Sequence, residues 1–316
     1  MKPLAKVLVS VVLFLALLLI IPWAELRETF VRASLGIWLL ALGGWALGHS
    51  LGIVKWRMLV NVGGAKLGRL EAVMEYCAGL FANLCLPTVV GGDVLRATLA
   101  GRASRHPQAA IWGGLTDRVS DLMGVTILVA GGILVSRREL EGVWSGVATA
   151  GIAAMAVLAV AIAVPLLAGW RLSRWPRPIR RHVARALVTL RRAMRQPDRA
   201  LLALVISIAM QGGFTILTSF LGQSIGIHVP LAAWLLAWPL AKLAALVPIS
   251  LGGLAVREAA LASLLLPFGV PLSQGVIASL LWQSVNIVGG LTAGLVWLTT
   301  ARLTGRSVSL SPVAAT

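Results

Sequence analysis

Long apolar stretches separated by short basic segments make up most of this sequence. Six of the stretches are long enough to cross the hydrocarbon core of a bilayer as a helix, which takes about 17 to 25 residues. They cover residues 7–23, 33–54, 108–135, 143–170, 200–221 and 273–300. The pattern predicts an all-α polytopic membrane protein with about six full spans, forming a single transmembrane domain over residues 1–316.

Two further apolar segments, 71–101 and 231–267, are each interrupted by a proline and a pair of glycines. In both, three residues separate the proline from Gly-Gly and three more separate Gly-Gly from an arginine. The motif is Pro87, Gly91, Gly92 and Arg96 in the first segment, and Pro248, Gly252, Gly253 and Arg257 in the second. The part after the first break is too short to cross back, so both segments are predicted to be re-entrant helical hairpins. Non-helical backbone at that depth survives only where protein covers it or a polar cavity adjoins it.

The two hairpins divide the chain into two repeats, 33–135 and 200–302, each with a span, a hairpin and a span. With the amino terminus in the cytoplasm and each hairpin returning to its own side, most Lys and Arg become cytoplasmic, as the positive-inside rule requires. Lys55, just after the span 33–54, is among these cytoplasmic residues. This topology makes the repeats inverted, with hairpin tips meeting near the midplane, as in many alternating-access carriers. It also places both termini in the cytoplasm of a bacterial-type inner membrane.

Residues 171–199 carry ten arginines and are predicted to form a cytoplasmic connector between the repeats. Apolar residues at helical spacing within it favour a basic amphipathic helix on an anionic leaflet. A solvated positive-inside loop explains the same composition, and the sequence leaves both interpretations open.

The composition changes this picture little. The net charge of +17 does not indicate nucleic-acid binding, because most basic residues lie between apolar spans. The two cysteines, Cys77 and Cys85, are about 12 Å apart along a helix, too far for a disulfide. Among the 12 tryptophans, Trp56 and Trp297 lie near predicted span ends, where interfacial anchors are found. No cofactor is predicted.

Candidate binding residues lie at the two Gly-Gly bends. Each bend starts a half-helix, whose free N–H groups and dipole attract an anion. Arg96 and Arg257 fall in the first turn of their half-helices, where a cation opposes the dipole, so an anion is expected beside each. Asp93 is a possible partner for Arg96, whereas the nearest acid to Arg257 is Glu258, about 100° around the helix. Two hypotheses remain: both arginines bind a lipid phosphate, or both form structural ion pairs.

Three ionisable residues lie about 15 Å into the span 108–135: Asp117, Arg118 and Asp121. Charges at such depth are costly and usually face a pathway or each other. Their spacing allows an Arg118–Asp121 ion pair, which would leave Asp117 over. The equivalent part of the last span carries Gln283 and Asn286, so a polar cavity is favoured over an isolated salt bridge.

Other polar residues in the apolar segments have possible roles. Lys242, in the second hairpin, is a candidate partner for Glu258, which is also a candidate proton carrier. His49 and Gln211 occupy corresponding spans and are predicted to hydrogen-bond between helices.

The segments around the bends, Leu86-Pro87 with residues 90–97 and then residues 247–259, resemble the lysylphosphatidylglycerol synthase transmembrane-region family. The resemblance extends from about residue 35 to residue 302, and Asp117-Arg118 stands where members often carry Glu-Arg. It implies lipid translocation: in bifunctional members this region is joined to a cytosolic aminoacyltransferase domain and is assigned to flipping the aminoacylated lipid. This sequence carries no such domain, so a standalone membrane domain is expected. Standalone relatives are associated with hopanoid, polyprenyl and glycosylated lipids.

We therefore expect a lipid flippase that moves an anionic or modified lipid (aminoacyl, glycosyl or polyprenyl) between leaflets by alternating access, with the headgroup at the two hairpin tips. Without a P-loop there is no ATP site. The expected partners are membrane lipids and a lipid-synthesis enzyme, and not nucleic acid. Two alternatives remain: a membrane enzyme that uses Glu258 or Asp117 on a lipid-linked substrate, and a non-transporting partner of a lipid-synthesis complex.

Overall fold

The computed structural model describes residues 33–85, 91–135, 196–245 and 255–304. These residues form eight α-helices and one short 3-10 turn, with no strand among them. The helices are α1 (Leu35–Val62), α2 (Arg69–Cys85), α3 (Gly91–Ser104), α4 (Pro107–Val135), α5 (Pro197–Ser224), α6 (Leu231–Ala244), α7 (Val256–Leu265) and α8 (Leu272–Leu303), and the turn is Leu266–Phe268.

Four helices, α1, α4, α5 and α8, are long and apolar enough to cross a membrane. They confirm the all-α, multi-span prediction for the described part of the chain. The predicted spans 7–23 and 143–170, both hairpin bends and nearly all of the basic connector lie outside the described residues. The count of six spans and the re-entrant path of the hairpins stay predictions.

Local sequence signals account for the starts and ends of the long helices. The Ser34 hydroxyl accepts a hydrogen bond from the Ile37 amide at 3.4 Å and caps α1, while Pro197 lies in the first turn of α5. Both helices are followed by a glycine in the left-handed region, Gly64 with φ 101° and Gly226 with φ 92°. Other residues adopt this conformation at a cost, so glycine allows the sharp turn into the next helix.

The positions of these features divide the described chain into two equivalent halves, α1–α4 and α5–α8. Helices α1 and α5 start at Leu35 and Pro197, and helices α2 and α6 start at Arg69 and Leu231. The two residues of each pair are equally far apart along the sequence, and so are Gly64 and Gly226. This spacing of 162 residues (35 to 197) assigns equivalent residues in the two halves, except at the Pro/Gly-Gly/Arg motif, whose spacing of 161 residues (96 to 257) makes Arg96 equivalent to Arg257.

Helix packing follows the same division. Between the halves, α1 packs against α5. Helix α2 packs against α8, and the equivalent helix α6 packs against α4. In the same way, α4 packs against α5 and α8 packs against α1. Within the halves, α2 packs on α3 and α3 on α4, just as α6 packs on α7 and α7 on α8. Exchanging the halves therefore leaves the set of helix contacts unchanged, as expected for an internal two-fold repeat. The inverted orientation of the halves in a membrane stays a prediction.

Two kinds of contact join the helices. Small residues allow close approach: a Cβ on Gly92 of α3 would collide with the carbonyl oxygen of Gly79 on α2. Aromatic side chains meet across the boundary between the halves: the ring of His49 lies 5.5 Å from that of Phe214, and the ring of Phe81 lies 6.4 Å from that of Trp297. Many large apolar side chains on the outer helix faces are exposed, as suits helices surrounded by lipid.

Candidate functional site

A cavity of ≈ 350 Å³ lies between the two halves, and side chains from all eight helices line it. Most of its polar wall consists of residues that the sequence singled out. The charged lining residues are Asp93, Arg96, Asp117, Arg118, Asp121, Lys242 and Arg257. The neutral polar ones are His49, Asn83, Gln211, Gln283 and Asn286, and the aromatic ones are Trp45, Tyr76, Phe214, Trp238 and Trp282.

Arg96 is held in place by two carboxylates and two aromatic rings. Its Nη2 donates to Asp117 Oδ2 at 2.8 Å and lies 3.1 Å from Asp93 Oδ1. The guanidinium carbon is 5.3 Å from the ring centre of Trp56 and 5.0 Å from that of Tyr76. With only 5% of its surface exposed, Arg96 forms the structural ion pair that one of the two hypotheses proposed.

Lys55 is a buried member of this site that the sequence analysis assigned to a cytoplasmic segment. Helix α1 continues to Val62, so Lys55 lies inside it and is 1% exposed. Its Nζ lies 3.1 Å from Asp117 Oδ1, forms an ion pair with Asp121, and donates to the Ser207 hydroxyl of α5 at 2.9 Å. The sequence holds one signal for it: Asp93, Asp117 and Asp121 outnumber Arg96 and Arg118, and this excess of carboxylates indicates a further buried cation.

Arg118 binds Asp93, and the predicted Arg118–Asp121 pair is wrong. Arg118 Nε donates to Asp93 Oδ2 at 2.7 Å and Nη2 donates to Oδ1 at 2.6 Å, a two-bond arrangement that suits a planar guanidinium. Asp121 is engaged instead by Lys55 and by the Ser207 hydroxyl, which donates to it at 3.0 Å. The order Arg118, Asp93, Arg96, Asp117, Lys55, Asp121 alternates in sign, so three cations are balanced by three carboxylates.

Arg257 occupies the equivalent place in the second half, but its surroundings are mostly neutral. Its Nη2 donates to Glu258 Oε1 at 2.6 Å and to Gln283 Oε1 at 2.9 Å, while Nε donates to Ser279 Oγ at 3.2 Å. Its guanidinium carbon is 5.9 Å from the ring centre of Trp238. Glu258, fully buried, also accepts a hydrogen bond from Ser279 at 3.3 Å.

The constant spacing between the halves shows what has changed. It pairs Tyr76 with Trp238, so each arginine lies beside an aromatic ring of the preceding hairpin helix. It also pairs Asp117 with Ser279 and Asp121 with Gln283. The second half thus has a hydroxyl and an amide where the first half has two carboxylates.

Lys242 is the second cation of this half, and its predicted pair with Glu258 is wrong. Its Nζ donates to Gln211 Oε1 at 2.6 Å and lies 5.6 Å from the ring centre of Phe214. Glu258 is enclosed with Arg257 and Ser279 instead, and no carboxylate of the described residues lies within ion-pair distance of Lys242. The spacing pairs Lys242 with Leu80, so this positive charge has no counterpart in the first half.

The chain matches the family model described as "Lysylphosphatidylglycerol synthase TM region" over residues 4–294. It belongs to this family. Membership confirms the resemblance seen at the two bends and, together with the four apolar helices, makes the chain a multi-pass membrane protein of a lipid-related family. No match was found among curated proteins or among solved structures.

In this family member, the first hairpin tip differs from the open anion site that the sequence predicted. Helix α3 begins at Gly91, and the Gly92 amide already donates to Asn83 Oδ1 at 2.9 Å. The Asp93 carboxylate occupies the first turn of α3 and binds Arg96 and Arg118. Gly252 and Gly253 lie outside the described residues, so the second tip stays a prediction.

Neutral hydrogen bonds connect the helices around the cavity. Trp38 Nε1 donates to Ser284 Oγ at 2.8 Å and Trp45 Nε1 donates to Asn286 Oδ1 at 3.0 Å, both joining α1 to α8. His49 contacts the Tyr76 hydroxyl at 3.4 Å, and with the Lys242–Gln211 bond this confirms that His49 and Gln211 link helices.

Two tryptophans near predicted span ends are not interfacial anchors. Trp56 is fully buried and Trp297 is 9% exposed, so neither presents its ring to the bilayer surface. Trp56 instead packs against the Arg96 guanidinium. Within the described ranges, no group of three His, Cys, Asp or Glu side chains is placed to hold a metal ion.

Proposed function

We propose that this protein moves a lipid between the two leaflets of a membrane. The lipid headgroup passes through the cavity between the halves while its tails stay in the surrounding bilayer. The observation that carries the proposal is the cavity itself: a charged, aromatic-lined space enclosed by apolar helices and built by both halves. Ionisable side chains inside a membrane are costly and usually mark a substrate pathway. Family membership supports a lipid as the substrate.

The charge distribution favours a headgroup position beside the second half. The cations of the first half are already bound to Asp93, Asp117 and Asp121, whereas Lys242 contacts, among the described residues, only an amide and an aromatic ring. A buried cation without a matching anion is stabilised when an anion binds. The proposed site therefore consists of Lys242 and Arg257, with Gln283 and Asn286 lining the same space, and it accepts an anionic or modified headgroup that carries a phosphate.

Transport is favoured over catalysis because the two candidate catalytic carboxylates are engaged. Asp117 is bound by Arg96 and Lys55, and Glu258 by Arg257 and Ser279. With no ATP motif in the sequence, the driving force is a gradient, the membrane potential or mass action. We further propose an inner-membrane location with both termini in the cytoplasm. A lipid-synthesis enzyme is the proposed partner, and co-purification from native membranes tests this.

The two halves offer a mechanism for alternating access. The halves meet along α1 and α5, and α1 also contacts α8. The described hydrogen bonds between the halves either join neutral groups of α1 and α8 or involve the Ser207 hydroxyl of α5. Rocking of one half against the other would expose the cavity to one leaflet and then to the other. The balanced ion-pair network keeps α1, α3 and α4 together during this movement.

The decisive experiment measures translocation of fluorescent phosphatidylglycerol in proteoliposomes, using a membrane-impermeant quencher to report the outer leaflet. Wild-type protein is expected to exchange the lipid faster than protein-free vesicles, and Lys242→Met to slow this exchange about tenfold or more, as expected for a lost charge-assisted hydrogen bond. Lys66→Met is the matched control, because Lys66 is exposed and lies outside the cavity. Folded wild-type protein that moves no lipid of any headgroup would overturn the proposal.

A further inference from the structure

We infer that the cavity selects a headgroup with one net negative charge, a lipid phosphodiester bound by Lys242 and Arg257. This inference deepens the proposed function and rests on it, because it names the substrate class of the same site. It is carried by the charge balance of the side chains around the cavity and by the difference between the two halves.

Among the described residues, the charged side chains that line the cavity and their ion-pair partners leave one positive charge unmatched. The first half contributes three cations and three carboxylates, all joined in one alternating network. The second half contributes Lys242 and Arg257 against Glu258 alone. His49 is counted as neutral, and the bends 86–90 and 246–254 contain no ionisable side chain. One unmatched cation therefore remains on the side formed by α6 and α7.

This balance distinguishes between classes of lipid. A phosphodiester carries one negative charge and neutralises the unmatched cation. A phosphomonoester carries about 1.5 to 2 negative charges at pH 7 and leaves an excess of negative charge in the cavity. A zwitterionic headgroup leaves the cation uncompensated, and a cationic aminoacylated headgroup adds to it. Because uncompensated charge in a low-dielectric site is costly, the phosphodiester monoanion is the favoured occupant.

The two cations also have donors to spare. An ammonium group has three N–H donors, and Lys242 uses one on Gln211. A guanidinium has five, and the Nη1 of Arg257 makes no hydrogen bond with the described residues, while Nε and Nη2 bind Ser279, Glu258 and Gln283. The donors left over suit the two non-bridging oxygens of a phosphodiester, with lysine as a point charge and arginine as a planar fork.

The comparison of the halves identifies two isosteric substitutions that change the charge in opposite directions. Gln283 stands where the first half has Asp121, so Gln283→Glu restores a carboxylate and brings the balance to zero. Glu258→Gln removes the carboxylate beside Arg257 and raises the balance to two positive charges. Arg302→Gln is the control, since Arg302 is exposed and does not line the cavity.

The test measures binding of four labelled lipids to the purified full-length protein, with translocation measured in parallel. The lipids are phosphatidylglycerol, phosphatidic acid, phosphatidylcholine and an aminoacylated, cationic phosphatidylglycerol. Wild type is expected to bind phosphatidylglycerol most tightly, and Gln283→Glu to weaken that binding about 10- to 100-fold. Glu258→Gln is expected to shift the preference towards phosphatidic acid. Arg302→Gln should match wild type.

A fifth arm uses soluble glycerophosphoglycerol as a competitor. It is expected to compete at least about tenfold more weakly than the lipid, because it lacks the tails. Equal competition would show that the site takes a soluble phosphodiester and would overturn the assignment to a lipid.

The outcomes separate this inference from the proposed function. Equal binding of all four lipids by wild type, or unchanged phosphatidylglycerol binding by a folded Gln283→Glu variant, would overturn the inference and leave translocation standing. Selective, charge-dependent binding without any translocation would support the inference and overturn the transport proposal. If either isosteric variant fails to fold, the wild-type lipid ranking and the variant Lys242→Gln test the inference instead. Lys242→Gln removes the unmatched cation, so it is expected to weaken phosphatidylglycerol binding. Unchanged phosphatidylglycerol binding by this variant would overturn the inference.

Discussion

Arg96 and Arg257 occupy equivalent positions near the starts of α3 and α7, and each lies beside an aromatic ring of the preceding helix. Around Arg96 the chain supplies two carboxylates and the third cation Lys55, so every charge is matched. Around Arg257 it supplies one carboxylate, a serine and a glutamine. The same scaffold therefore carries two different environments: the first copy of the motif lies in a balanced ion-pair network, and the second leaves the cationic donors that we propose for a ligand.

The largest expected effect is on stability, from Asp117→Asn. This substitution keeps the shape of the side chain but removes the carboxylate shared by Arg96 and Lys55, both buried. Breaking a buried ion pair from one side costs about 3–5 kcal/mol, and thermal or denaturant unfolding of the purified protein measures it. At the equivalent position, Ser279→Ala should cost about 1 kcal/mol. Equal losses at the two positions would contradict the contrast between the halves.

Lys55→Met is expected to cost about 3 kcal/mol, because Asp117 and Asp121 lose their shared cation. Adding Asp121→Asn removes one negative charge and rebalances the network, so the double variant should recover about 1 kcal/mol or more. A double-mutant cycle on unfolding free energies checks this. Strictly additive losses would show that the buried charges act independently.

Gly79→Ala is expected to destabilise the protein by about 1–3 kcal/mol. A Cβ at this position would lie 2.9 Å from the Gly92 carbonyl oxygen, between α2 and α3. The equivalent position in the second half is Ala241, which is fully buried and already carries a Cβ. Gly131→Ala is the control, because nothing lies within 4 Å of a Cβ there. A neutral Gly79→Ala would show that the two hairpins pack equally closely.

Lys242→Met should have the smallest effect on stability, less than about 1 kcal/mol, because it removes one hydrogen bond to Gln211 and no ion pair. Leu80→Met, at the equivalent position of the first half, is the matched control. Unfolding measurements on the variants used for the transport assay are sufficient. A loss as large as that of Lys55→Met would assign Lys242 to the structural network and remove it from the proposed site.

The sequence alone predicted the helical architecture, the two halves and most of the cavity wall. Long apolar windows and the repeated Pro/Gly-Gly motif are local signals, and they placed Arg96, Asp117, Asp121, Arg257 and Lys242 in helices that meet. Ion-pair partners depend on which helix faces pack together, and spacing along one helix does not encode this. Arg118 was therefore assigned to Asp121 on its own helix, whereas the structure gives it Asp93 on α3.

Lys55 and Trp56 show a second reason why the sequence alone did not predict the whole site. A basic residue and a tryptophan at the end of an apolar window are the usual signs of a membrane surface. Helix α1 continues beyond that window to Val62, and both side chains turn into the protein. The assignment failed because hydropathy marks where an apolar window ends but does not show where its helix ends.

Each ion pair among the described cavity residues lies within one half, whereas the bonds that cross between α1 and α8 join neutral groups, Trp38 to Ser284 and Trp45 to Asn286. Lys55 and Asp121 reach the opposite half only through the hydroxyl of Ser207. Separating the halves would therefore break bonds worth about 0.5–3 kcal/mol each and leave every one of these salt bridges closed. Among the described polar contacts, only exchangeable hydrogen bonds therefore oppose the proposed movement of the halves, and water or a headgroup can replace them one at a time.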